Sequence, residues 1–203
     1  MRIARAAAAI GALGAGALAA AATIDDLEVK RDRDRYSLEA NAWLDASPES
    51  IHAVLTDFDD NAYSRISRAY KESRYLDPAA DGTPLVYTRM EGCALWHCMT
   101  LERTERLETE APHWIKSTTL PEGSNFKHSV SEWRLERDGD GTMMRYTLEM
   151  EPDFFVPPIV GPWYLKRTLS QGGLRAVTRI ERLARERDGR PVEPLPPPRS
   201  RDR

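Results

Sequence analysis

Outside its first 22 residues the chain has no long apolar run, and it carries only two cysteines and four histidines. It lacks the short signatures of hydrolytic and phosphoryl-transfer chemistry. Without H-E-x-x-H there is no zincin-type metalloprotease, and without G-x-S-x-G no nucleophile elbow. No glycine-rich loop is present to cradle a phosphate. His52, His97, His113 and His128 are scattered, and no pair of carboxylates stands apart from the abundant surface acids. An excess of positive charge is also missing. The 29 basic and 32 acidic residues give a formal charge of −3, which argues against a dedicated nucleic-acid binder. Neither a metal nor a cofactor is expected.

What is present fits one domain with a sizeable core: 203 residues, 41% hydrophobic and 30% charged. Residues 1–22 differ from the rest. Arg2 and Arg5 precede a run of Ala, Gly, Leu and Ile ending in Ala20-Ala21-Ala22. A basic start, an apolar middle and an A-x-A end predict a secretory signal cleaved near Ala22. The alternative, an alanine-rich membrane anchor, is weaker because Ala and Gly insert poorly and the run is short. Export to the bacterial periplasm is the expected localisation. Loss of Arg2 and Arg5 leaves 27 basic against 32 acidic residues, a charge of −5.

Residues 23–35 contain Lys30-Arg31-Asp32-Arg33-Asp34-Arg35, a mixed-sign run expected to be a solvated lead-in. From Tyr36 the pattern changes to period two. Tyr36, Leu38, Ala40, Ala42 and Leu44 alternate with Ser37, Glu39, Asn41, Trp43 and Asp45, predicting a half-buried strand. Ser47-Pro48-Glu49 starts a helix, with Ser47 as N-cap, Pro48 at the first position and an acid near the positive end. Asp57 to Asn61 interrupts it, and Tyr63 to Ile66 reads as a second short helix.

Ser67 to Glu151 reads as a run of strands: 68–76, 84–90, 99–107, 113–120, 126–137 and 142–150. Asp138-Gly139-Asp140-Gly141 is the clearest hairpin signal. In the last strand Met144, Tyr146, Leu148 and Met150 share one face. Phe155 to Arg187 then reads as one long amphipathic helix. Pro157, Pro158 and Pro162 stand at its start; Leu165, Leu169, Ala176, Val177, Ile180 and Leu183 form its apolar stripe, with arginines between. Gly172-Gly173 inside it costs roughly 2 kcal/mol of helix propensity. Either close packing on the sheet or room and flexibility for a ligand would account for the pair. Residues 188–203, with five prolines, are expected to be a disordered tail.

Cys93 and Cys98 form an even pair, which in an exported protein suggests a disulfide. A straight strand would hold their Cα atoms about 16 Å apart, against a limit of about 7 Å, so Ala94 to His97 must turn. A metal held by Cys93, His97 and Cys98 is a weaker reading, because the spacing is not the paired one.

The order of strand, two short helices, about six strands and one long helix resembles the START-like, or helix-grip, superfamily, within it the polyketide-cyclase and coenzyme-Q-binding branch. Ser47 to Phe58 is similar to the branch's first helix, Ile66 to Ser73 to the strand that follows. Ser131-Glu132-Trp133-Arg134-Leu135 and Thr142 to Leu148 resemble its final hairpin, and Pro157 to Arg185 its closing helix. The likeness covers residues 36–187. Ser131 replaces a glycine-like residue, and the cysteine pair is an addition. The implied fold is α+β: a curved antiparallel sheet of about six or seven strands wrapped around a long C-terminal helix.

The resemblance implies a cavity between sheet and helix that takes a lipid, a quinone or another hydrophobic small molecule. Tyr87, Trp114, Trp133, Met144, Tyr146, Leu148, Trp163, Leu165 and Leu169 are the candidate lining. A transient contact with a membrane surface is a further expectation from the basic helix. Two alternatives stand beside this binding module. One is a cyclase, aromatase or dehydratase using Glu91, His97 and His113 as acid and base. The other is an interaction protein with a vestigial pocket.

Overall fold

A computed structural model describes residues 23–94, 97–154 and 160–192, with side chains for residues 27–92, 98–154, 167 and 171–192. The expected signal (1–22) and residues 193–203 of the tail lie outside the described residues, as do Leu95, Trp96 and residues 155–159.

Eight strands form one antiparallel sheet: β1 Thr23–Asp32, β2 Arg35–Leu44, β3 Tyr70–Leu76, β4 Leu85–Ala94, β5 His97–Glu110, β6 Trp114–Leu120, β7 Phe126–Asp138 and β8 Gly141–Pro152. Their spatial order is β1-β2-β8-β7-β6-β5-β4-β3. The period-two readings hold. Tyr36, Leu38, Ala42 and Leu44 are buried, as are Met144, Leu148 and Met150. The sheet exceeds the expected count because residues 23–32, read as a charged lead-in, pair with β2 along its whole length. Those charges suit an edge strand, where they discourage pairing with another chain.

Three helices lie on one face: α1 Pro48–Leu55, α2 Tyr63–Ile66 and α3 Val160–Arg187, with a 3-10 turn at Asp59–Asn61. Ser47 caps α1 by accepting the Ser50 N–H at 3.2 Å, and Pro48 opens the helix. The break after α1 comes from Asp60 and Asn61, at φ 47° and 59°, a conformation that short polar residues tolerate. Val177, Ile180 and Ala184 of α3 pack with Leu44 of β2, Ile51 and Leu55 of α1, and Leu135 and Met144 of the sheet.

The end of α3 is laced to the β2–α1 loop. Asp45 takes Arg185 at 2.5 Å and Arg190 at 2.6 Å, and its own N–H donates to Glu181 at 3.0 Å. Asp188 accepts from the Ser47 N–H (2.8 Å), the Ser47 hydroxyl (2.6 Å) and the Ser50 hydroxyl (2.5 Å). The tail read as solvated from residue 188 is therefore pinned at its first residues, by charge rather than by apolar burial.

Burial by itself would raise the Asp188 pKa, but these hydrogen bonds and Arg190 outweigh it and hold the carboxyl below its ordinary value. The stabilisation is present above the free aspartate pKa of about 3.9 and is lost as pH falls through the lower folded value. Replacing Asp188→Ala should cost about 1 kcal/mol at neutral pH, by analogy with a lost helix cap. In urea denaturation across pH, the gap from wild type should close below about pH 4. A gap that does not change with pH would rule out this latch.

Candidate functional site

On β5, strict alternation puts Leu101, Arg103, Glu105 and Leu107 on the face that the helices cover. Arg103 stands opposite Thr88 of β4, and Glu105 opposite Val86 of β4 and Thr119 of β6. Thr88 in turn faces Ser73 of β3. Ser117 and Ser131 pair across β6 and β7, and Ser129 lies opposite Met150 of β8. All these small hydroxyls are buried. A polar band thus crosses an otherwise apolar concave face.

Its centre is an ion pair. Arg103 donates to Glu105 at 2.8 Å, with side chains only 13% and 6% exposed. A second Arg103 bond reaches the Ser129 hydroxyl at 3.1 Å, and the guanidinium carbon lies 5.3 Å from the Phe126 ring centroid. The Thr119 hydroxyl donates to the same Glu105 oxygen at 3.5 Å. Burial acts to neutralise Arg103, but Glu105 and the surrounding tyrosine oxygens prevail, so its pKa is raised and the charge is kept.

Three buried polar atoms have no hydrogen-bond partner among the described residues on this face: Arg103 Nε, Thr88 Oγ1 and the Tyr36 hydroxyl. An unmet buried donor costs about 1–3 kcal/mol, so such atoms call for a partner. Aromatic walls stand nearby. Trp133 and Tyr146 lie 4.9 Å apart, ring to ring, and Tyr63 and Tyr70 meet edge to face at 5.1 Å. Burial raises the pKa of Tyr70 and Tyr146, which stay protonated and act as donors, not bases. The band offers a fixed cation, a balancing carboxylate and neutral donors. Such a set suits a carbonyl, phenol or enolate oxygen on an otherwise apolar molecule.

The candidate lining divides. Trp133, Met144, Tyr146 and Leu148 lie on the covered face, with Met144 in the main core and Leu148 in a second cluster with Tyr36, Leu38, Phe126 and Met150. Tyr87 and Trp114 do not join them. Tyr87 falls between buried Val86 and Thr88 and points away, under the Arg74 guanidinium at 4.3 Å. Trp114 precedes buried Ile115 and donates its indole N–H to Glu132 at 2.8 Å on the outer face. Strand parity decides both. The side chains of Trp163, Leu165 and Leu169 lie outside the described residues. Around Gly172 an added Cβ would meet no atom of the described residues within 4 Å outside the helix's own backbone, so close packing among them does not explain this glycine.

The acid–base trio is not assembled. Glu91 is exposed on the outer face, bonded to Arg89 at 3.2 Å, and lies opposite Thr100. His113 is at the other end of β5, beyond Glu110, its Nδ1 3.1 Å from the Leu135 carbonyl. Ten residues of strand put them about 33 Å apart. The His97 side chain lies outside the described residues. The residues missed from sequence, Arg103 and Glu105, carried one usable signal: they share parity with Leu101 and Leu107.

An open groove of about 400 Å³ lies on the opposite face, along β1, β2, β7 and β8. Its carboxylates are already matched: Glu28 with Lys30 (2.9 Å), Glu39 with Arg145 (2.7 Å) and Glu149 with Arg35 (3.0 Å). The groove offers no comparable unmet group.

Residues 36–181 match the family model described as polyketide cyclase / dehydrase and lipid transport. The chain belongs to this family. Its fold is the START-like helix grip. Solved structures agree: an aromatase/cyclase, Zhui, from Streptomyces sp. R1128 superposes with a TM-score of 0.58 at 15% identity, over 76% of this chain and 96% of that one. A START superfamily protein from Mycobacterium smegmatis gives 0.57 at 20% identity, over 72% and 98%. A STAR-related lipid transfer protein fragment from Xanthomonas axonopodis gives 0.53 at 15%, over 77% and 97%. No curated protein sequence matches the chain. Identities this low establish the fold; the family supports hydrophobic-ligand binding or polyketide cyclase chemistry.

Removing one partner of a buried pair strands the other charge. Arg103→Met should therefore destabilise the family member by about 3–5 kcal/mol, whereas Arg103→Met with Glu105→Leu should recover most of the loss. Urea denaturation of both variants makes the comparison. Equal stability of the two would mean that the pair is solvated.

Proposed function

We propose that the chain holds a hydrophobic small molecule of the lipid or quinone class between the sheet and α3, with an acceptor oxygen of that molecule on Arg103. The observation that carries this reading is Arg103 Nε, a buried donor on an apolar face with no partner among the described residues. Affinity comes from buried apolar area, at about 25 cal/mol per Å², and orientation from the guanidinium. Glu105 balances the cation, so a neutral carbonyl is accommodated as well as an anion. The lack of close neighbours around Gly172 among the described residues is consistent with room under α3.

Native mass spectrometry of the purified protein, followed by organic extraction, tests this directly. A reproducible bound lipid or quinone is expected. The double variant Arg103→Met/Glu105→Leu should fold and carry less of it. A clean apo mass, with no uptake from a lipid and quinone panel, sinks the proposal.

A second reading, cyclisation of a bound polyketide, draws on the same atoms. A charged guanidinium beside protonated tyrosines would stabilise an enolate developing on a bound substrate. Turnover of a poly-ketone substrate, lost on Arg103→Met/Glu105→Leu, would select this reading over simple binding.

The chain is further proposed to be exported, with Cys93 bridged to Cys98. The two residues are direct partners in the β4–β5 register. Antiparallel partners have Cα atoms about 4.5–5.5 Å apart, within the range a disulfide spans. An intact mass of the protein recovered from the periplasm should show a chain starting near Thr23 and no alkylation without reductant. A full-length mass, or two alkylated thiols, would overturn the respective half.

A further inference from the structure

Nearly every arginine around the end of α3 is bonded to a carboxylate. Arg65 and Arg182 share Glu186 (3.3 and 3.1 Å), Arg185 and Arg190 share Asp45, and Arg187 reaches Asp57 at 2.7 Å. Three arginines beside them are not. Arg68, Arg175 and Arg179 have no carboxylate partner among the described residues. Arg179 is half-buried and reaches the Ile66 carbonyl at 3.5 Å, two residues before Arg68 in the α2–β3 loop. Arg175 lies one turn earlier on α3, which brings its Cβ within about 6 Å of that of Arg179. Burial, then repulsion from Arg68 and Arg175, lowers the pKa of Arg179, as expected for cations crowded together without an anion.

The place of the cluster matters. Arg68 is followed two residues later by Tyr70, whose ring packs against Tyr63 inside the fold. Next to Arg175 stands Leu174, at 46% exposed one of two large apolar side chains left in solvent among the described residues. A crowded cationic cluster with an apolar side chain at its edge, at the rim of the covered face, matches the chemistry of a phospholipid surface: phosphates outside, hydrocarbon just beneath.

We propose that Arg68, Arg175 and Arg179 form a docking site for the phosphate groups of an anionic phospholipid membrane, with Leu174 entering the interface. The formal charge of the chain is −3, so overall attraction cannot supply this binding; a local cluster must. The site does not depend on what occupies the interior, so its failure would leave the reading of Arg103 untouched.

The test is co-sedimentation of the full chain with vesicles of phosphatidylcholine alone or mixed with phosphatidylglycerol. Binding to the mixed vesicles should exceed binding to the neutral ones and weaken with salt. Arg68→Gln/Arg175→Gln/Arg179→Gln should reduce the excess on the order of a hundredfold. The control Arg35→Gln/Arg134→Gln/Arg145→Gln removes equal charge from the outer face and should stay near wild type. If the first triple variant does not fold, Arg68→Glu in its exposed loop should still lower binding by about tenfold or more. No excess binding by the wild-type chain, or equal losses in both triple variants, would overturn the proposal. So would thermal stabilisation by inorganic phosphate without vesicle binding, which would make the cluster a site for a soluble phosphate.

Discussion

The structure depends on a mismatch of widths. Eight strands spaced about 4.8 Å apart make a sheet about 34 Å across, while a helix with its side chains covers about 10–12 Å. One closing helix cannot dry the whole apolar face. α1 and α2 therefore share the cover with the C-terminal half of α3, and the main core gathers where these three meet Leu44, Leu135 and Met144. The second cluster, around Tyr36, Leu38 and Phe126, belongs to the other end of the sheet. Between the two runs the band of Ser, Thr, Arg103 and Glu105.

This arrangement divides α3 by role. Beyond Ala176 it is fixed by core packing, by Asp45 and by Asp188, so its end cannot swing without breaking bonds to the β2–α1 loop. Among the described residues nothing crowds Gly172, at the border of that anchored half. Glycine weakens a helix by about 1 kcal/mol relative to alanine, and a pair of them lowers the cost of local bending. The anchored half of α3 thus begins beside the two residues at which helix propensity is lowest.

Much of the fold was legible because period two and period 3.6 are strong signals in this chain. The alternation in β2 and β8, the Ser47-Pro48-Glu49 start and the Asp138–Gly141 hairpin all correspond to structure. β1 escaped because edge strands carry the same charges as solvated leads, and only its pairing with β2 separates them. The site was less legible. Tyr87 and Trp114 are candidate lining in the sequence, yet a one-residue change of parity turns each to the outer face. Arg103 and Glu105 are not legible as interior residues because charged residues are expected outside, and the flanking Leu101 and Leu107 are a weaker cue than the charge itself. Glu91 and His113 could not be placed from sequence, since their separation follows from the length of β5.

A buried ion pair adds little to stability, since two apolar side chains of similar volume would serve the fold as well or better. The Arg103–Glu105 pair therefore has to be understood through what it offers in the folded state. A guanidinium has five N–H bonds in a rigid plane. Glu105 and Ser129 use part of that set, on Nη2, and Nε–H remains buried without a partner among the described residues. Because Glu105 also cancels the net charge, an incoming oxygen need not be anionic to be favourable there. On the proposed reading, a neutral carbonyl would gain a charge-assisted hydrogen bond there, with Trp133, Tyr146 and Leu148 on the same covered face for its hydrocarbon remainder. The proposed site would thus select by the position of one acceptor oxygen relative to an apolar body, more than by total charge.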